Sequence, residues 1–219
     1  MDGNELQLLY DTALDYGIEL SRRHLNLFRI YLDELLNWNR RMNLTGLSSR
    51  DTITIELLLD SLIPAHFLPD RGRMLDVGSG AGFPGIPLKI YNPQLEIHLM
   101  EPNSKKVSFL KHVIRLLKLD NIKVIKGRIE MDGDKLNPMG YHLITTRALA
   151  NLGQAIAWCS PFLSPDSLFI GFLGSHAEED LKKSQQVIKE YSLTLHKMIP
   201  YFLPGKRSKR NTLIFKKKA

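Results

Sequence analysis

The spacing of apolar residues predicts that the first part of the chain is helical. Apolar side chains recur every three or four positions, as Leu25, Phe28 and Leu32 illustrate. This period is typical of amphipathic helices that bury one face. The predicted helices cover residues 4–18, 22–41 and 51–62. We therefore expect a helical N-terminal extension over residues 1–68.

Two polar side chains are placed to start these helices. Ser21 immediately precedes the second helical stretch, and Asp51 opens the third. Short oxygen-bearing side chains at such positions accept hydrogen bonds from the first free N–H groups of a helix. We expect both residues to act as N-caps.

From residue 69 onward, short apolar runs alternate with amphipathic stretches, which predicts strands alternating with helices. The predicted strands are 74–78, 95–101, 122–127, 141–147, 167–174, 192–199 and 211–217, and the predicted helices are 104–118, 151–163 and 177–191. Strands joined through helices pair in parallel, whereas the last two strands have no helix between them and are predicted to form an antiparallel hairpin. Residues 69–219 are thus predicted to be an α/β domain with a seven-stranded Rossmann-like sheet and an antiparallel last strand.

Charge is distributed unevenly along the chain. The net charge is +7 over 219 residues. The last 29 residues hold eight Lys and Arg and no Asp or Glu, whereas the first 190 residues have a net charge of −1. A cationic segment of this kind favours a polyanionic partner, with nucleic acid first, over a merely solvated tail.

Composition excludes several classes of protein. Hydrophobic residues make up 43% of the chain, enough for a folded core, and the single cysteine, Cys159, excludes a disulfide scaffold and a multi-cysteine zinc site. The acidic start, MDGNELQLLYD, does not have the pattern of a secretory leader, and no apolar run is long enough to cross a membrane. We expect a cytoplasmic protein with no membrane partner and no metal site.

A glycine-rich segment follows the first predicted strand. It reads Gly78-Ser79-Gly80-Ala81-Gly82-Phe83-Pro84-Gly85 and leads into a helix. Glycines let a ligand approach the backbone, and the amides of a helix N-terminus are expected to face that ligand. The spacing fits a dinucleotide fingerprint, which by itself also suits a plain strand-to-helix turn.

A carboxylate at the end of the next strand narrows the range of ligands that the glycine-rich segment could bind. Glu101 lies 23 residues after Gly78 and could accept both hydroxyls of a ribose, although it could instead cap the following helix. NAD and S-adenosylmethionine both contain such a ribose. Asp76, just before the glycines, favours the cationic S-adenosylmethionine over an anionic pyrophosphate. The predicted closing hairpin also favours a methyltransferase over a dehydrogenase.

Longer motifs carry a resemblance to one family. They are Asn43-Leu44-Thr45-Gly46, Leu59-Asp60-Ser61-Leu62, Asp76 to Leu88, Lys105 to Leu110, Gly127-Arg128-Ile129-Glu130 and Thr146 to Ala150. In this order and spacing the chain resembles the bacterial ribosomal RNA small-subunit methyltransferase G family, also called glucose-inhibited division protein B. The resemblance covers about residues 25 to 217.

The resemblance implies an activity and a set of site residues. Members methylate N7 of one guanine in 16S ribosomal RNA with S-adenosylmethionine. The positions that correspond to the family's cofactor site are Gly78, Gly80, Phe83, Glu101, Ile129, Glu130 and Arg147. Arg147 is also expected at the methionine end or at the substrate mouth, where it would position the substrate.

Three positions depart from the family pattern. Leu57 stands near a usual histidine, Leu173 replaces a lysine, and Asn211 replaces a histidine. These departures leave the cofactor loop intact and concern the side that would meet RNA.

Guanine N7 has a free lone pair and no proton, so its methylation needs alignment and no general base. Phosphate contacts are expected from a basic loop before the last strand, formed by Lys206, Arg207, Lys209 and Arg210. The predicted partner is 16S ribosomal RNA or the small ribosomal subunit, bound by a monomer. The alternatives are another RNA site, a small-molecule substrate, or a non-catalytic RNA-binding module.

Overall fold

The protein is organised around one central sheet, seen in a computed structural model that describes residues 4–218. The strands are β1 (Gly72–Val77), β2 (Leu95–Glu101), β3 (Ile122–Lys126), β4 (Tyr141–Arg147), β5 (Leu163–Leu173), β6 (Leu193–Phe202) and β7 (Lys209–Lys217). They lie in the order β3-β2-β1-β4-β5-β7-β6. Strands β1 to β5 are parallel, and β7 runs antiparallel to both of its neighbours. This architecture confirms the predicted fold class, including the closing hairpin.

Helices cover both faces of the sheet. They are α1 (Asn4–Asp15), α2 (Arg22–Met42), α3 (Arg50–Ile53), α4 (Asp60–Leu62), α5 (Gly85–Tyr91), α6 (Ser104–Leu116), α7 (Leu152–Cys159), α8 (Ala177–Lys183) and α9 (Gln185–Glu190). Short 3₁₀ turns lie at Ala65–Phe67, Gly133–Lys135 and Ser160–Phe162. Among the described residues, no helix combines the length and the apolar character that a membrane span requires.

The predicted N-cap of α2 is confirmed, and that of the third helix is wrong. The Ser21 hydroxyl accepts from the His24 N–H at 3.2 Å, and the His24 ring accepts from the Ser21 N–H. The third helix begins earlier than expected, because Ser49 has an extended backbone and its hydroxyl faces the Thr52 N–H at 3.5 Å. Asp51 therefore lies inside the first turn.

The third predicted helix is not a uniform α-helix. Residues Thr54–Leu59 form a π-helical turn between α3 and α4. The N–H of Asp60 reaches back to the carbonyl of Ile55, five residues earlier. Such wide turns often occur at functional sites.

Two other predicted helices are shorter than the apolar pattern indicated. The stretch 151–163 is helical only to Cys159, because Pro161 belongs to a 3₁₀ turn and β5 begins at Leu163. The stretch 177–191 is divided at Ser184 into α8 and α9.

Each face of the sheet has its own core. One core joins buried residues of α1, α2, α5, α6 and the π-helical segment to alternate sheet positions, for example Leu9, Tyr31, Leu58, Ile86 and Leu99. The other lies under α7 to α9 and contains the buried Cys159. The N-terminal helical segment thus shares one core with the sheet, and this core also contains Ala81 and Phe83 of the glycine loop.

Candidate active site at the carboxyl edge of the sheet

Four adjacent strands end at the same edge of the sheet and bring the predicted cofactor residues together. The glycine loop follows β1, Glu101 ends β2, Ile129 follows β3 and Arg147 ends β4. The strand order β3-β2-β1-β4 makes these ends neighbours. Ligands of open α/β sheets bind at this edge.

The glycine loop uses backbone conformations that other residues rarely adopt. Gly78, Gly80 and Gly82 have φ angles of +74°, +58° and +103°. A Cβ on Gly82 would lie 2.6 Å from Ile86, whereas a Cβ on Gly80 would have no atom nearer than 3.9 Å. The loop is therefore tightly packed at Gly82 and open at Gly80, where a ligand could lie against the backbone.

Four of the loop amides donate inside the protein and not to a ligand, which corrects the sequence-based expectation for them. Gly78 and Ser79 donate to the Met100 carbonyl at 2.9 and 3.0 Å, and Gly82 donates to the Ser79 carbonyl at 2.7 Å. The N–H of Phe83 donates there too. A pyrophosphate needs free N–H donors, and this loop has already used these four inside the protein. The geometry disfavours a dinucleotide.

Glu101 is fixed against the loop. Its two carboxylate oxygens accept from the N–H groups of Gly80 at 2.8 Å and Asn103 at 2.9 Å. The cap of α6 is Asn103, whose side chain accepts from Lys105 and Lys106, so capping is not the role of Glu101. Each Glu101 oxygen keeps a lone pair that could accept a ribose hydroxyl.

Asp76 holds the loop from the protein interior and does not face a ligand. Its carboxylate is fully buried and accepts from the Gly85 N–H at 3.1 Å and the Thr145 hydroxyl at 3.0 Å. Burial raises the pKa of this carboxyl to about 6, although the hydrogen bonds from Thr145 and Gly85 oppose the rise. Its charge can act on the site only through the loop, contrary to the direct role expected from sequence.

Phe83 packs away from the open side of the loop. Its ring is buried with its centroid 5.3 Å from that of Tyr31, a residue of α2. The hydroxyl of Tyr31 donates to the Ala81 carbonyl at 2.6 Å. Burial raises the pKa of Tyr31 well above its usual value, so the hydroxyl stays protonated and remains a donor.

The segment after β3 lies beside Glu101. The N–H of Gly127 donates to the Glu101 carbonyl at 3.3 Å. Ile129, two residues later, is buried, and the Glu130 carboxylate lies 3.7 Å from the Arg128 guanidinium. Ile129 could border a flat purine ring, and Glu130 follows it on the exposed side.

Arg147 is held by a segment that the sequence interpretation did not connect to it. Its guanidinium lies 3.3 Å from the buried Asp60 carboxylate and donates to the carbonyls of Glu56 and Leu57 at 2.5 and 3.4 Å. The π-helical turn and α4 supply all of these acceptors. An ion pair thus fixes where Arg147 stands at the end of β4.

The same two carboxylates bind the basic hairpin. Glu56 contacts Lys206 at 2.5 Å and Arg210 at 2.8 Å, and Asp60 contacts Arg210 at 3.0 Å and accepts from the Tyr201 hydroxyl at 2.8 Å. The cations at residues 206 and 210 lower the pKa of Glu56. Glu56 and Asp60, together with the cations that they bind, are called the carboxylate hub below.

The structure corrects the predicted position of two basic residues. Lys209 and Arg210 lie in β7 and not in the loop before it, because the hairpin ladder begins with the pair Phe202–Lys209. Lys209 lies 3.7 Å from Glu178. Arg207 is exposed at the hairpin turn and forms no ion pair within the described chain, so it is the cation most available for phosphate.

A cleft opens between the ends of β4 and β5. Its volume is about 240 Å³, and its lining includes Thr146, Leu149, Leu152 and Phe172. Leu149 also borders the glycine loop, since a Cβ on Gly78 would lie 3.1 Å from its side chain. The cleft and the loop are therefore adjacent, with Leu149 between them.

The positions that depart from the family pattern lie at this edge. Leu173 and Asn211 face each other across β5 and β7, and the Asn211 amide donates to the Gly174 carbonyl at 2.8 Å. Leu57 supplies a carbonyl to Arg147. Sequence reasoning did not assign roles to Glu56, Asp60 and Tyr31. The one signal in the sequence for such a role was Asp60, a charged residue within the apolar run Leu57 to Leu62.

Comparison with known families places the chain among RNA-modifying proteins. The model of the family described as rRNA small subunit methyltransferase G matches residues 24–214. The matched range includes every residue described above at the carboxyl edge of the sheet.

Curated relatives of that name match nearly the whole chain. The ribosomal RNA small subunit methyltransferase G of Chloroflexus aggregans is 34% identical over 218 residues, which are 99% of this chain and 92% of that protein. The protein of the same name from Bacillus cereus is 34% identical over 206 residues, 92% of this chain and 86% of its own.

Solved structures share the fold at low sequence identity. A ribosomal protein L11 methylase from Lactobacillus delbrueckii subsp. bulgaricus has a TM-score of 0.59 at 15% identity, with 80% of this chain and 81% of that chain covered. The TYW2 protein of M. jannaschii, solved in complex with AdoMet, has a TM-score of 0.57 at 13% identity, with 72% and 73% covered. With the family match, the carboxyl-edge site and the antiparallel closing hairpin in agreement, this chain belongs to the rRNA small subunit methyltransferase G family.

Proposed function

We propose that the protein transfers a methyl group from S-adenosylmethionine to N7 of a guanine in 16S ribosomal RNA. The observation that carries this proposal is the glycine loop, in which the amides of Gly78, Ser79, Gly82 and Phe83 donate inside the protein while Glu101 is fixed beside Gly80. That arrangement suits a nucleoside without phosphates. The family match supports the RNA substrate.

The residues present fit this cofactor. The space above Gly80 is open, and the Glu101 oxygens could accept the ribose hydroxyls. Ile129 would border the adenine, and Glu130 lies next to it in the chain. The cofactor, when bound, supplies an electrophilic methyl group on a cationic sulfur. The Glu101 carboxylate, fixed beside Gly80, makes this edge favourable for a cation.

The chain's own task is alignment. Guanine N7 brings its own lone pair, so a proton acceptor is unnecessary. The cleft between β4 and β5 would receive the purine, with Leu149 beside the glycine loop. Arg147 is outside the lining of this cleft; held by Asp60 at the end of β4, it would contact guanine O6 or an RNA phosphate at the mouth of the site.

RNA phosphates would contact the hairpin between β6 and β7. Arg207 is exposed there, and Lys206, Lys209 and Arg210 extend the cationic surface beside the cleft. A base must leave its stack to reach the cleft, so an unpaired or flipped guanine is the expected substrate. We further propose that the protein acts as a monomer in the cytoplasm, where small subunits assemble.

The test is mass spectrometry of 16S ribosomal RNA from cells that lack the protein. We expect one N7-methylguanosine to disappear and to return with the wild-type chain. The variant Glu101→Ala should not restore it, and Arg207→Ala should restore it in part. An unchanged modification map would refute the assignment, and a lost methyl group at another position would support the alternative RNA site.

Calorimetry distinguishes the remaining alternatives. Binding of S-adenosylmethionine by the purified chain supports an enzyme, and absence of binding supports a non-catalytic RNA-binding module. Binding of NADH instead would favour a dehydrogenase.

A further inference from the structure

Helix α2 reaches the glycine loop through one side chain. Tyr31 is fully buried, and its hydroxyl donates to the Ala81 carbonyl at 2.6 Å. Its ring packs against Phe83 and Phe109, with centroid distances of 5.3 and 6.4 Å. Two aromatic neighbours and a hydrogen bond therefore fix the position of the hydroxyl.

Two side chains satisfy backbone groups at the start of α5. The N–H of Gly85, the first residue of α5, has no partner within the helix. That N–H donates instead to the Asp76 carboxylate at 3.1 Å. The Ala81 carbonyl accepts from Tyr31, and side chains of β1 and α2 together hold the loop in an open form.

Ala81 lies between two glycines with left-handed backbones. Gly80 and Gly82 have φ angles of +58° and +103°, and a Cβ on Gly82 would come within 3.0 Å of the Tyr31 hydroxyl. Gly80 in turn donates its N–H to Glu101 at 2.8 Å. Movement of the Ala81 peptide would consequently disturb the contact between the loop and the ribose-binding carboxylate.

We propose that Tyr31 is a positioning residue for the cofactor, acting through the Ala81 carbonyl on Gly80 and Glu101. The inference rests on the proposed location of the S-adenosylmethionine site. It makes the helical N-terminal segment a part of the cofactor site, although no residue of that segment needs to touch the cofactor. Without the hydroxyl, the buried Ala81 carbonyl loses its partner and the loop relaxes.

The experiment compares two fully buried tyrosines whose hydroxyls are both hydrogen-bonded inside the protein. Tyr31→Phe removes one buried hydroxyl at the loop. Tyr141→Phe removes another, since Tyr141 is also fully buried and hydrogen-bonded to the His98 ring at 2.7 Å. Tyr141 is the first residue of β4, at the opposite end of the strand from the site. Both variants should unfold at somewhat lower temperature than the wild type.

Calorimetric titration with S-adenosylmethionine should separate them. We expect Tyr31→Phe to raise the Kd for S-adenosylmethionine about tenfold, in line with the loss of one buried hydrogen bond. We expect Tyr141→Phe to change this Kd by less than about twofold. RNA affinity should stay unchanged in both. Hydrogen exchange of the Gly80 amide should accelerate only in Tyr31→Phe, and this reports on the loop without the cofactor.

The possible failures are distinguishable. Wild-type cofactor affinity and Gly80 exchange in Tyr31→Phe would overturn the inference, and so would equal weakening of the cofactor by both variants. If Glu101→Ala also bound S-adenosylmethionine normally, the proposed cofactor site itself would be wrong.

Discussion

Single residues of the glycine loop have separate roles: Gly82 lies against Ile86, whereas Gly80 is open to a ligand and donates its N–H to Glu101. The sequence predicts that these glycines lie between a strand and a helix, and the structure shows this turn with positive φ angles at Gly78, Gly80 and Gly82. The internal use of their amides could not be predicted, since it depends on where the Met100 carbonyl and the Glu101 carboxylate lie in space. Arg147 was singled out, whereas its partner Asp60 was not, because the two are 87 residues apart in the chain.

Gly78→Val should abolish cofactor binding while the chain remains folded. The position has a φ of +74°, and a Cβ there would lie 3.1 Å from the Leu149 side chain. A side chain would strain the backbone by about 1–2 kcal/mol and close the border between loop and cleft. Calorimetry with S-adenosylmethionine measures the loss.

The matched control for this variant is Gly205→Val. Gly205 has a similar φ of +69° at the hairpin turn, with no atom within 4 Å of an added Cβ. It should lose similar stability and keep cofactor binding. If Gly78→Val kept full activity, the loop would not be the cofactor site.

Asp76 should give stability a specific pH dependence. Burial raises its folded pKa from 3.8 to about 6, so the folded state binds this proton more tightly than the unfolded state does. Its contribution to the free energy of unfolding therefore decreases as the pH rises from about 4 to about 6, by up to roughly 3 kcal/mol, and is level above about pH 7.

Urea unfolding of the wild type and Asp76→Asn across this range isolates the effect, because other titrating groups cancel in the difference. The wild type should lose stability relative to the variant as the pH rises through this window. A difference that is constant with pH would show that Asp76 titrates at its ordinary pKa.

At the scale of elements, strand and helix identities were predictable and several ends were not. Apolar runs located all seven strands, although β6, at the edge of the sheet, leaves most of its side chains exposed. The pattern could not show that Thr54–Leu59 is π-helical, since the apolar residues there suit an α-helix equally well. It also placed Arg210 in a loop, whereas cross-strand pairing to Tyr201 extends β7 to include it.

Glu56→Gln should strengthen RNA binding. In the carboxylate hub, Glu56 neutralises Lys206 and Arg210, and phosphates must compete with it for these cations. An uncharged amide should tighten RNA binding by about threefold and steepen its salt dependence. Fluorescence anisotropy with a 16S fragment at several salt concentrations measures both quantities.

Glu96→Gln is a suitable control for this variant. Glu96 pairs with Arg73 and His98 in the first half of β2, away from the hairpin, and its loss should leave RNA affinity unchanged. Weaker RNA binding by Glu56→Gln would instead mean that Glu56 is needed to hold the cations in their binding positions.

For the molecule as a whole, the helical segment and the sheet depend on each other. The core on one face contains Leu9, Phe28 and Leu58 from the first 68 residues together with Ile86 from α5 and Leu99 from β2. Tyr31 and the carboxylate hub connect the same segment to the site. Sequence predicted the segment and its helices but could not show which face of the sheet it covers.

Removal of residues 1–68 should prevent the remaining chain from folding stably. The deletion would expose one face of the sheet and leave Arg147 and Arg210 without their carboxylate partners. Large exposed apolar surfaces of this kind promote aggregation. Size-exclusion chromatography and circular dichroism of residues 69–219 check this expectation, and a monomeric fragment with cooperative unfolding would contradict it.

The burial of Cys159 has a practical consequence. It is the one cysteine of the sequence, and burial raises the pKa of its thiol far above the ordinary value, so it should react very slowly with maleimides. A second cysteine introduced at the exposed Ser208, beside Arg207, would then be the site of selective labelling. A fluorophore or photocrosslinker attached there would report, without further engineering, which nucleotides approach the hairpin turn.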